Sequence, residues 1–205
     1  VFGDWSSDVC SSDLMKAAVV GDDILRDDPT VIRLEELAAG LLGKEAALFT
    51  VSGTMSNEIA VMVYCRPGDE VVVLEDSHIY NLETGALAAL SGTQARPVTD
   101  TGGVYDAAAL AERLGVEGVQ RPRVSLVCVE NSFHLNRGLA VPAAAFGETR
   151  KIARSRGVPV FLDGARIFNA AAALKTDAAS LAAVCDSVAV CLTKGLAAPF
   201  GSILA

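Results

Sequence analysis

Ser187-Val-Ala-Val-Cys-Leu-Thr-Lys194-Gly195 carries an apolar run straight into a lysine. Ser187 to Leu192 reads as a buried strand, because β-branched and other apolar residues run through it without a polar break. A lysine directly after such a run, with glycine following, is oddly placed for a solvated charge. At the mouth of a buried strand it is partly desolvated, and a desolvated amine is the nucleophile that a carbonyl requires. Working outward, a second apolar run, Val158-Pro-Val-Phe-Leu162, ends in Asp163-Gly-Ala-Arg166. An acid at the end of one buried strand and an amine at the end of another form a pair that one ligand can bridge.

The same alternation extends along the chain. Strands are expected at 47–51, 70–74, 94–98, 124–129, 158–162 and 187–192, with a closing apolar run at 203–205. Helices are expected from Asp28-Pro29, an N-cap with proline at the first helical position, to the stop at Gly43. Further helices are expected at 53–64, 79–90, 106–114, from Pro142 to Gly157, and at 178–184. In the first helix Val31, Leu34, Leu37, Ala38, Leu41 and Leu42 share one face. Apolar strands alternating with amphipathic helices predict an α/β domain whose mainly parallel sheet is flanked by helices, with ligands at the carboxyl ends of the strands. Ser52-Gly53-Thr54, His78, Asn131, Asp163 and Lys194 each follow a strand.

The chain has 205 residues, 51% of them hydrophobic and 20% charged, which is the composition of a core-rich globular domain. A net charge of −8 without a basic patch argues against a nucleic-acid partner. No stretch approaches the roughly 18 apolar residues of a membrane span, and no secretory signal pattern is present, so a cytoplasmic location is expected. The five cysteines are scattered with no Cys-x-x-Cys spacing, which points to a reducing compartment and to no metal site. Val1 to Leu14 is rich in Ser and Asp and aperiodic, and reads as a disordered or foreign leader; residues 15–205 are expected to form the domain. The apolar run after Lys194 has no helix to cover it, so a domain cut at its C-terminus is expected.

Each chemical element has an ordinary alternative. Ser52-Gly53-Thr54, between a strand and a helix, can cup a phosphate on free N–H groups, or simply cap the helix. His78 can stack on an aromatic ring or shuttle a proton, or satisfy a structural role. Asp163 and Arg166 can hold a ring N–H and a carboxylate, or pair with each other. Lys194 can be a nucleophile or can snorkel to water. Taken together, in one order along the chain, they suit pyridoxal 5'-phosphate (PLP). Its pyridine nitrogen needs an acid, its aldehyde an amine, and its phosphate a cup.

The chain resembles the low-specificity threonine aldolases, within the aromatic amino acid β-eliminating lyase/threonine aldolase family of fold-type I PLP enzymes. The resembling stretches include Val20-Gly-Asp-Asp23, Asp27-Asp-Pro-Thr-Val31, Arg33-Leu-Glu-Glu-Leu-Ala38, Leu42-Gly-Lys-Glu-Ala-Ala-Leu-Phe49, Ser52-Gly-Thr-Met55, Cys65-Arg-Pro-Gly-Asp-Glu70 and His78-Ile-Tyr-Asn81. Leu162-Asp-Gly-Ala-Arg-Ile-Phe-Asn-Ala170 and Asp186-Ser-Val-Ala-Val-Cys-Leu-Thr-Lys-Gly195 complete the set. The resemblance implies the large domain of that fold, with a seven-stranded sheet and the small C-terminal domain missing. It implies Lys194 as the covalent anchor of PLP, Asp163 at the pyridine nitrogen, and His78 on the ring face. Gly53 and Thr54 would lie at the phosphate and Arg166 beside the cofactor. It also implies a homodimer or homotetramer for the full-length protein.

The chain departs from the family pattern in places. Leu25 stands where a tyrosine is usual, Phe133-His134 where the histidine comes one place earlier, and Arg137-Gly138 where two glycines are usual. His134 and Arg137 therefore become candidate substrate contacts, and either His78 or His134 a candidate for proton transfer. The implied activity is retro-aldol cleavage of L-threonine or L-allo-threonine to glycine and acetaldehyde. The alternatives are a β-eliminating lyase acting on another amino acid, or a catalytically incomplete fragment of such an enzyme.

Overall fold

The computed structural model of the chain describes residues 13–205 apart from 116, 117, 134, 136 and 137. The elements, in chain order, are α1 (Pro29–Leu42), β1 (Leu48–Thr50), α2 (Gly53–Tyr64), β2 (Glu70–Leu74), α3 (His78–Asn81), α4 (Ala86–Ala89) and β3 (Gln94–Val98). A small hairpin of β4 (Asp100–Thr101) and β5 (Val104–Tyr105) follows, then α5 (Ala107–Gly115), β6 (Val124–Glu130) and α6 (Gly147–Ser155). The last elements are β7 (Val160–Asp163), α7 (Ile167–Leu174), α8 (Ala178–Ala182), β8 (Ser187–Cys191) and β9 (Ser202–Leu204). Seven strands form one sheet in the order β1-β9-β8-β7-β6-β2-β3. β9 runs antiparallel to both its neighbours, and the remaining pairings are parallel. The mainly parallel seven-stranded sheet is thus the one expected. The antiparallel strand β9 is the apolar run after Lys194, and a sheet pairing covers it.

Each central strand is buried on both faces, and its side chains alternate between two cores. Val71 and Val73 of β2, Leu126 and Cys128 of β6, Phe161 of β7 and Ala189 of β8 face α2, α3 and α4, where they meet Ala60, Val61, Ile79 and Leu87. Val72, Leu74, Val127, Val129, Leu162, Val188 and Val190 face the other way, toward α1 and α5 to α8, where they share a core with Leu42, Leu110, Ala153, Ile167 and Leu181. The near-continuous apolar runs in the sequence have this cause: neither face of the strand meets water.

Several helices differ from expectation. α1 is capped as read: Asp28 accepts from the N–H groups of Thr30 and Val31 at 2.9 Å, and Gly43 closes the helix at φ +64°. The apolar face is covered only in part: Val31, Leu34 and Ala38 are partly buried. Ala39 and Leu42 are buried, while Leu37 and Leu41 stay half exposed beside Phe168, Leu192 and Leu196. The single helix expected at 79–90 is two short ones, α3 and α4, broken where Thr84 and Gly85 take φ +57° and +75°. The helix expected from Pro142 begins as a 3-10 turn, Ala143–Phe146, before α6. Helix α7 was not expected at all. Of the proposed leader, Val1 to Ser12 lies outside the described residues. No helix among the described residues is long and apolar enough to cross a membrane.

Candidate active site

The carboxyl ends of β1, β2, β6, β7 and β8 lie along one edge of the sheet, and the chemistry-bearing residues gather there. Register places Glu130, the last residue of β6, opposite Asp163, the last of β7. A cavity of about 200 Å³ opens at this edge, and Ser52, Gly53, Thr54, His78, Asp163 and Lys194 all line it. Asn57, Glu83, Ala165 and Cys191 also line it. A larger cleft of about 320 Å³, beside Arg121, Arg123 and Arg156, lies at the amino end of β6. That is the wrong end of the strands for a ligand in a parallel sheet.

Local structure fixes each side chain. Ser52 ends the link from β1 as the N-cap of α2: its hydroxyl accepts from the N–H of Met55 at 3.2 Å. The N–H groups of Gly53 and Thr54, in the first turn, have no partner within the helix and point out of its N-terminus. A Cβ at Gly53 would meet nothing within 4 Å, so the space above this turn is open. His78 opens α3, and its backbone N–H donates to Glu130 Oε2 at 2.7 Å. Asp163 is buried; its Oδ1 accepts from the N–H of Ala165 at 3.1 Å, which tightens the turn out of β7. Gly164 is needed in that turn, since a Cβ would stand 2.9 Å from Val188 Cγ2 and 3.0 Å from the Ala189 carbonyl oxygen. Lys194 sits in the turn that leaves β8, where its carbonyl accepts from the N–H of Ala197 at 3.0 Å.

Behind these residues lies a polar network that sequence reasoning missed. Asn57 Nδ2 donates to Glu83 Oε1 at 2.6 Å and to Asp163 Oδ2 at 3.1 Å. Glu83 Oε1 also lies 2.8 Å from His78 Nδ1. One nitrogen of His78 and one oxygen each of Glu83 and Asp163 fall within 4.8 Å of one another. A cation would need such donors, but amide hydrogens of Asn57 already serve the space between the two carboxylates. The Glu83 hydrogen bond raises the His78 pKa above the ordinary imidazole value, against the opposing effect of burial; the charge of Asp163 adds to the rise and that of Lys194 opposes it. A sequence signal for Asn57 existed, since it lies one helical turn beyond Gly53 on the same face. The signal for Glu83 was Thr84-Gly85, a helix-breaking pair inside an otherwise Ala/Leu-rich run.

The structure therefore brings together Gly53, Thr54, His78, Asp163 and Lys194. Arg166, at the start of α7, is partly buried and is not among the residues that line the cavity. His134 and Arg137 lie outside the described residues.

A sequence model of the family described as beta-eliminating lyase matches residues 9–205. The chain belongs to this family. It is 42% identical over 192 residues to the low-specificity L-threonine aldolase 1 of Arabidopsis thaliana, covering 91% of this chain and 53% of that protein. It is 37% identical over 191 residues to the low specificity L-threonine aldolase of Escherichia coli strain K12, covering 93% of this chain and 56% of that protein. Among solved structures, the threonine aldolase of Leishmania major superposes with a TM-score of 0.76 at 25% identity, over 87% of this chain and 52% of that one. The chain spans about half the length of the curated relatives it matches.

Proposed function

We propose that this chain is the cofactor-binding large domain, residues 15–205, of a PLP-dependent lyase. The lyase cleaves L-threonine or L-allo-threonine to glycine and acetaldehyde. One observation carries the reading: Lys194, Asp163, His78 and the Ser52–Thr54 turn, each at or just beyond the end of a different strand, line one cavity at the carboxyl edge of the sheet. The low-specificity threonine aldolases among its relatives support the choice of substrate.

The residues present fit PLP. Gly53 leaves open space above the first turn of α2, so its N–H and that of Thr54 would hold the phosphate. Asp163, buried and tied to Asn57 and Ala165, would face the pyridine nitrogen. His78 would lie on the ring, Lys194 would anchor the aldehyde carbon, and Arg166 would lie nearby. Glu83 Oε2 and Asn57 Oδ1, both buried in the wall of the cavity, have no hydrogen-bond partner among the described residues, which fits a site built around a further group. When bound, PLP supplies an electron sink for charge developing at the substrate's α-carbon.

The chain's own residues do the remaining work. The buried sheet edge excludes water from one side. Lys194 lines the same cavity as His78 and Asp163. His78, held at Nδ1, keeps Nε2 as its second proton site and is a candidate to take the β-hydroxyl proton; His134 remains the other candidate for that step. His134 and Arg137 are proposed to contact the substrate. The working protein is proposed to be a cytoplasmic homodimer or homotetramer. The buried unpaired Cys65, Cys128, Cys185 and Cys191 support a reducing compartment, and half-exposed Leu37, Leu41 and Phe200 support an oligomer.

The test is to add PLP and then L-threonine. The proposal expects a visible absorption band that Lys194→Ala abolishes, and release of glycine and acetaldehyde. Pyruvate from serine or cysteine, with no glycine from threonine, would instead identify a β-eliminating activity.

A further inference from the structure

Glu83 is enclosed, with none of its side chain exposed, and its ion-pair partner is the imidazole of His78. A carboxylate this deep is strongly unfavourable unless charge and hydrogen bonds compensate it. The chain bends sharply to put it there. The break between α3 and α4, with Thr84 and Gly85 both at positive φ, turns Glu83 inward where a continuous helix was expected. Asn57 then links this carboxylate to Asp163 through a single amide nitrogen. Two acids, an amide and an imidazole are thus joined by consecutive hydrogen bonds in the wall of the cavity.

We propose that Glu83 and Asn57 are positioning residues: Glu83 holds the His78 imidazole with its proton on Nδ1 directed inward, and Asn57 locks that carboxylate to Asp163, so that both groups are set as one unit. The inference rests on the reading of the cavity as a PLP cradle, and it deepens that reading. With Nδ1 committed to Glu83, proton exchange by the ring is assigned to Nε2. Charged groups reach His78 from every side: Glu83 between α3 and α4, Asp163 from β7, Lys194 from the turn after β8, and Glu130 of β6 through the backbone N–H. Both Glu83 and Asp163 favour the imidazolium, and Lys194 disfavours it.

The chain contains two histidines, so ring nitrogen NMR of the unliganded protein gives two signals, and His134→Asn leaves that of His78. The expected neutral tautomer carries hydrogen on Nδ1. Glu83→Gln keeps the shape and the bond from Asn57 but removes the charge, and is expected to lower the titration midpoint of His78. Asn57→Ala and Glu83→Gln are each expected to weaken PLP binding, read by fluorescence, by about tenfold. A neutral His78 with hydrogen on Nε2, or a midpoint unmoved in Glu83→Gln, overturns the inference even if PLP binds. If Glu83→Gln does not fold, the tautomer in the unaltered protein decides. If the unaltered protein binds no PLP, the cradle reading falls, while the tautomer result still judges the pair on its own.

Discussion

Asn57 on α2 and Asp163 at the end of β7, 106 positions apart in the chain, are joined by one buried hydrogen bond of 3.1 Å. The same amide nitrogen serves Glu83 at 2.6 Å, so one short side chain keeps two buried carboxylates from facing each other unscreened. Replacing it with an isosteric acid reverses the effect. Asn57→Asp is expected to destabilise the protein by about 3 kcal/mol or more near neutral pH, where three carboxylates would crowd together. The deficit should shrink as pH falls, because protonating one acid restores a donor. Urea unfolding of both proteins across the acid range measures this; a deficit that does not change with pH would contradict it.

The two glycines beside the key residues should respond differently. At Gly164 a methyl would meet Val188 Cγ2 and the backbone oxygen of Ala189, neither of which can swing away. Gly164→Ala is therefore expected to cost roughly 1–3 kcal/mol. At Gly195, next to Lys194, a methyl would overlap the amide end of Asn169, an exposed side chain. Gly195→Ala should cost less, and Asn169→Ala should relieve most of that cost in the double variant. Denaturation midpoints for the single and double variants decide between these expectations.

His78 sets a pH dependence of known sign. Its folded pKa lies above the ordinary 6.5, chiefly through the Glu83 hydrogen bond. Its ionisation therefore contributes stability that is full below about pH 6.5 and is lost as pH rises through the folded value. The stability gap between the unaltered protein and His78→Asn should accordingly be wider on the acid side than on the alkaline side. Urea titrations at both ends check this, and a gap of constant size would remove the Glu83–His78 pair from the account.

Far from the site, Glu70 at the start of β2 is wholly buried between Arg96, at 2.7 Å, and Arg113. Glu70→Ala leaves two guanidinium groups beside an empty acceptor site, one of them largely buried, and is expected to cost about 3–5 kcal/mol. Chemical denaturation gives the number directly.

The sheet was legible because parallel strands covered on both faces must be apolar throughout, and Glu70–Leu74, Val124–Glu130 and Ser187–Cys191 are nearly so. The cavity residues were legible for a related reason, since each follows one of those strands. What stayed hidden depends on distant contacts. The local signals at Asn57 and Glu83 mark a helix face and a helix break but not their partners, which appear only when β7 and α2 meet. Helix α7 starts directly after the Asp163–Arg166 turn with no side-chain cap to announce it, although Ile-Phe-Asn-Ala-Ala-Ala-Ala-Leu has ample helix propensity. In α1 periodicity gives the apolar stripe without saying which part of it the core covers: Leu42 is buried, Leu41 half exposed.

Covalent capture of the cofactor shows which residue anchors it. The chain is incubated with PLP, reduced with borohydride, digested, and its peptides weighed. The account predicts one added pyridoxyl phosphate mass, on Lys194, lost in Lys194→Ala and weakened in Asp163→Asn. Label spread over surface lysines, or concentrated on any residue other than Lys194, would contradict it.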